Sequence, residues 1–221
     1  MVDKQIKREL QRMTTPRAAA VAGIVFSVLC GASLVLFRTA IPQDVVTSTT
    51  WAQRGGGRVT TAVVLMPFAG IAFLWFIGVI RDRLGEYEDR FFSTVFLGSG
   101  LLFLAMTFVA VALAAAVLAS ARTGYPGQQG ALQLGRALML QISNVYAVRM
   151  AGVFMISLAT IGMRTRLMPR WLVLVSYLLA LTLLVVISVN LWVALVFPAW
   201  VLALSVFLLA ENRGRTDRPA Y

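Results

Sequence analysis

The chain has 221 residues, 59% of them hydrophobic and only 13% charged, with a mean hydropathy of +0.82. Soluble domains carry about 25% charged residues, so this composition needs lipid as its solvent. The net charge of +11 does not point to nucleic acid, because Lys and Arg sit at the ends of apolar runs, as topology signals and headgroup contacts do.

The chain contains no histidine, which excludes His-ligated haem, most zinc and copper sites, His-based triads and His proton relays. Cys30 is the single cysteine and lies inside an apolar run, so we expect a small packing residue and no intramolecular disulfide. Only two of the 20 basic residues are Lys, and Ala, Val, Leu and Gly abound. That bias suggests a GC-rich bacterial genome and hence a bacterial cytoplasmic membrane.

Residues 1–17 form a basic tail with Lys4, Lys7, Arg8, Arg12 and Arg17. Ile6, Leu10 and Met13 have the spacing of a short amphipathic helix, and a disordered tail is the competing expectation. Thr15-Pro16 supplies a helix start, and a first span is expected from Ala18 to Phe37. Residues 38–60 read as a loop, with Pro42, Asp44 and the run Gly55-Gly56-Gly57 marking flexible backbone. No Gly-Lys-Ser/Thr comes after the glycines, so they are not a phosphate loop.

A second span is expected from Thr61 to Ile80, with a kink at Pro67. After the charged stretch Arg81–Arg90, a third runs from Phe91 to Ser120, about 45 Å if wholly helical. Its alanine-rich second half suits close helix contact. Residues 121–135 read as a polar loop, and a fourth span ends at Met163.

The last 40 residues before Glu211 carry no charge. One helix of that length would run roughly 60 Å, twice the hydrocarbon thickness, so the stretch must fold back. The expected spans are Trp171–Ile187 and Leu191–Ala210, turning at Ser188 to Asn190. The fold expectation is therefore an all-α, polytopic bundle of six transmembrane helices spanning residues 18–210, between basic tails 1–17 and 211–221.

Six spans leave both termini on one side. That side collects 14 Lys and Arg against five on the other: Arg38, Arg54, Arg58, Arg122 and Arg136. The positive-inside rule then places both termini in the cytoplasm. Arg81-Asp82-Arg83-Leu84 and Arg164-Thr165-Arg166-Leu167 resemble each other, as in a duplicated hairpin. Convergence explains the likeness as well, since every cytoplasmic helix end favours Arg.

Arg149 belongs to neither side. If the fourth span begins at Ala137, Arg149 sits near the midplane, where an arginine costs about 2.5–3.5 kcal/mol and faces an interior or wet cavity. If the span is instead 144–163, Arg149 lies about 7.5 Å below the outer interface and snorkels to it. Gln141, Asn144 and Tyr146 are close in helical register, and with Arg149 they form a candidate ligand site for an anionic or carbonyl-bearing molecule. No Asp or Glu lies inside any expected span, which argues against ordinary proton- or sodium-coupled transport.

The segment containing Arg81, Asp82, Arg83, Glu86, Glu88, Asp89 and Arg90 is the densest charge cluster and a candidate surface for docking a protein partner. Its acids match no calcium-loop spacing. Two functions compete on these residues. One is a small-molecule or lipid-binding transport-type protein with a pocket around Arg149. The other is a non-catalytic subunit or scaffold docking through residues 81–90, as a homo-oligomer or with another protein. Catalysis is not expected, since no nucleophile–base pair or metal-ligand cluster is present, and no cofactor is expected. Membrane lipids are partners under both readings, and nucleic acid under neither.

Overall fold

A computed structural model describes residues 2–40, 50–84, 90–123, 129–165, 168–185 and 191–216. All regular structure among them is helical. Helix α1 spans Val2–Ala40, α2 Thr50–Leu84 and α3 Arg90–Thr123. The fourth rod is composite: α4 (Gln129–Gln141) runs into a π-helical turn, Ile142–Ala147, and continues as α5 (Val148–Arg164). Helix α6 is Arg170–Val185, and a 3₁₀ turn, Leu191–Leu195, leads into α7, Val196–Thr216.

Five stretches are long and apolar enough to cross a membrane: Ala18–Ala40, Gly56–Asp82, Phe91–Arg122, Gln129–Arg164 and Trp192–Ala210. This is the architecture of a multi-pass membrane protein. Helix α6 is equally apolar, but its 16 residues reach only about 24 Å, short of a roughly 30 Å hydrocarbon core. The turn expected at Ser188 to Asn190 lies outside the described residues.

Helices start earlier than the composition of the loops suggests. Helix α2 already includes Gly55, Gly56 and Gly57, and α4 begins at Gln129, inside the stretch expected to be a loop. At Gly56 the reason is proximity, not flexibility. The residue is buried, and a Cβ there would stand 3.3 Å from the Arg122 guanidinium and 3.5 Å from Leu118 of α3. Pro67 lies within the continuous α2, and Pro198 is a buried first-turn residue of α7. At that position the missing N–H costs no helical bond.

The rods close into a ring. α1 packs between α2 and α7, α2 against α3, α3 against the composite rod, and α5 against α6. Trp200 Nε1 donates to Ser176 Oγ at 2.8 Å, and Trp171 meets Phe207 edge-on, which joins α6 to α7. Small residues permit the close approaches, as lipid-embedded helices require in the absence of a hydrophobic drive between them. Gly23 is the tightest: a Cβ on it would overlap Ser205 Oγ of α7 and press on the Phe76 ring of α2. Ser33 Oγ donates across to the Ala62 carbonyl at 2.8 Å, fastening α1 to α2.

Aromatic rings fill the centre. Phe26, Phe73, Phe103, Phe154 and Phe197 come one each from α1, α2, α3, α5 and α7, and all are buried. Phe73 is the hub, with ring centroids 4.6 Å from Phe26, 5.3 Å from Phe154, 5.5 Å from Phe103 and 5.7 Å from Phe197. These tilted and edge-on pairs are the favoured aromatic geometries. Trp200 extends the cluster towards α6 by stacking near Phe197, 6.2 Å between centroids. The middle of the ring is therefore filled by side chains.

Candidate functional site

The π turn decides where the polar residues of the fourth rod point. In an α-helix Gln141, Asn144, Val145 and Arg149 would group on adjoining faces. Widening the turn over Ile142–Ala147 rotates α5 about the rod axis relative to α4, and such turns are frequent at functional sites. Asn144 ends up buried, 8% exposed, whereas Gln141 and Tyr146 are exposed and Arg149 is half-buried. The four expected site residues therefore do not converge on one pocket. Asn144 faces the bundle, and Gln141, Tyr146 and Arg149 form a polar stripe on its outer surface.

Ala147, Val148 and Ala151, the neighbours of Arg149 in sequence, line the same cavity as Cys30 and Thr107. Cys30 is 8 residues from Arg38 and 12 from Ala18 on α1, which corresponds to about 12 Å and 18 Å of rise. On α5, Arg149 lies 15 residues from Arg164, about 22 Å of rise. It makes no hydrogen bond or ion pair with any described residue. Exposed apolar side chains cover the outer faces of α4 and α6, Leu134 and Leu138 on the one and Leu174 and Leu178 on the other.

Asn144 poses the opposite problem. Both its amide nitrogen and its amide oxygen are buried with no hydrogen-bond partner among the described residues. A buried unpaired amide costs about 1–3 kcal/mol, and in native proteins it marks water, a ligand or stored strain.

Two cavities of about 30 Å³ each adjoin the π turn. The inner one ends on Phe103 and Phe197 of the aromatic cluster, and the other extends towards Phe37, Met66 and Met139. Leu34, Thr107 and Ser143 line both. Sequence reasoning noted Ser143 only as a polar neighbour of Arg149 and missed Thr107, because a hydroxyl in a membrane helix ordinarily bonds its own backbone and carries no signal. Trp200 belongs to the aromatic core, and Trp75 is 69% exposed.

The basic residues at the two ends act as anchors. The Arg38 guanidinium lies 5.6 Å from the Trp192 ring centroid at one end, and Arg164 lies 4.6 Å from Phe92 at the other. Of the expected docking cluster, Arg81 and Asp82 are exposed. The side chains of Arg83, Glu86, Glu88, Asp89 and Arg90 lie outside the described residues.

Comparison with protein-family models, with curated proteins and with solved structures finds no match to this chain. Function must therefore be read from geometry alone.

Proposed function

We propose that this chain is a six-span protein of a bacterial cytoplasmic membrane, with both termini in the cytoplasm, and that it is a lipid-binding protein of transport type. Its binding face is the stripe Gln141, Tyr146 and Arg149, and its ligand is an amphiphile with an anionic headgroup. The observation that supports this is the half-buried Arg149, without a partner among the described residues, within an apolar span.

An arginine inside an apolar span is costly unless an anion or water reaches it. No Asp or Glu lies within the apolar interior of any span, so a second copy placed on this face would bring arginine against arginine. A phosphate diffusing in the plane of the membrane has the complementary charge, and the planar guanidinium can bond two of its oxygens. Exposed Gln141 and Tyr146, both N-terminal to Arg149 on the same rod, add neutral donors. Asn144 faces inward and takes no part in headgroup contact.

The test is native mass spectrometry of the full chain released from nanodiscs of mixed phosphatidylglycerol and phosphatidylcholine. The intact protein should retain phosphatidylglycerol selectively. Arg149→Gln should lower that retention about tenfold, and Arg149→Lys should keep part of it. Equal retention by Arg149→Gln and the unaltered chain would overturn the reading. Transfer of a fluorescent phosphatidylglycerol between the leaflets of proteoliposomes tests the transport half separately. Binding without transfer would leave a lipid-binding protein that does not transport.

A further inference from the structure

The two cavities lie on the inner side of the composite rod, away from the Arg149 stripe, and they have a chemistry of their own. Ten Ser and Thr hydroxyls in the described helices bond back to the carbonyl four residues earlier, the usual way to satisfy a hydroxyl in lipid. Thr107 is one of them, donating to the Phe103 carbonyl at 2.8 Å, which leaves its oxygen free only to accept. Ser143 breaks the pattern. It sits in the π turn, where the backbone no longer keeps the α-helical bonding pattern, and it makes no hydrogen bond with any described residue. Its hydroxyl can therefore both donate and accept at the place where the two cavities meet.

We propose that this junction is a binding site for a small uncharged amphiphile, whose hydroxyl or carbonyl group meets Ser143 and Thr107 and whose few carbons fill the adjoining apolar space. The absence of charge comes from the walls. No charged side chain lines either cavity. An ion placed there would lose its hydration with nothing in return. The size comes from the volumes. Each cavity exceeds the roughly 10–15 Å³ that one water needs, but neither approaches that of a drug-sized pocket. The outer cavity, reaching Phe37 beside Arg38, offers the entry, and Phe103 and Phe197 close the far end.

Photolabelling with 3-azibutanol, a short alkanol carrying a diazirine, tests this on the full chain in nanodiscs. Peptide mapping should place an adduct on the segments around Cys30–Leu34, Phe103–Thr107 or Ser143–Ala147, and excess 1-butanol should suppress it. Ser143→Ala, which leaves the space but removes the hydroxyl, should reduce that adduct at least threefold. Ser143→Leu, which fills the space, should abolish it, and labelling of lipid-facing residues such as Phe68 should not change in either variant. Thr107→Val gives a second, nearly isosteric removal of a hydroxyl and should also reduce the adduct. Labelling confined to lipid-facing residues would overturn the proposal, and so would interior labelling unaffected by all three variants.

Discussion

Phe73→Ala removes six ring carbons from the hub of the aromatic cluster, a side chain with 0% exposure that touches rings from four other helices. In a water-soluble core such a change costs about 3–5 kcal/mol, part transfer and part cavity. In lipid the transfer part largely vanishes, because acyl chains are as apolar as the protein interior, and the packing part remains. A void of about 100 Å³ at ~24 cal/mol per Å³ then gives about 2–3 kcal/mol. Phe68 on the same helix is 58% exposed, so Phe68→Ala exchanges ring–lipid for lipid–lipid contact and should cost less than about 0.5 kcal/mol. Reversible unfolding by SDS titration in mixed micelles, monitored by far-UV circular dichroism, measures both. A difference between the two variants of less than about 0.5 kcal/mol would mean that the ring cluster does not hold the helices together.

Gly23→Leu should destabilise strongly, by more than about 2 kcal/mol in the same titration, because its side chain would overlap Ser205 and Phe76. Gly31→Ala, on the same helix with open space around it, should be neutral or slightly stabilising. Trp200→Phe keeps the packing but loses the bond to Ser176, for a cost of about 0.6 and at most about 1.7 kcal/mol. Arg149→Leu should raise membrane-insertion efficiency in a translocon assay, since the removed arginine costs about 2.5–3.5 kcal/mol at the helix centre. Reporter fusions active on only one face of the membrane should give like signals from both termini, and unlike signals would refute the six-span topology.

The polarity of the fourth rod shows how far single residues carried the site. Arg149 and Asn144 stand out in any reading, since a guanidinium and an amide inside an apolar run call for an explanation. Their grouping with Gln141 and Tyr146 assumed regular α-helical register. The π turn breaks that register and sends Asn144 inward, with Gln141 and Tyr146 outward. Thr107 carried no signal at all, and Ser143 only that of a polar neighbour of Arg149. One serine among many in apolar helices is unremarkable until its missing backbone bond and the cavities beside it are seen together.

The sequence by itself determined the solvent of this protein, the approximate places where helices cross it and the arginine-rich ends that anchor them. These depend on the length of apolar runs and the positions of charges, which are local properties. Only the tertiary structure decided which face of each helix points inward, that five phenylalanines from five helices meet at the centre, and that one rod widens beside two small cavities. The physical reason is the lipid. A helix that is apolar all round shows no amphipathic pattern to separate core from surface. The choice is left to close packing between residues such as Gly23 and Ser205, which lie far apart in the chain.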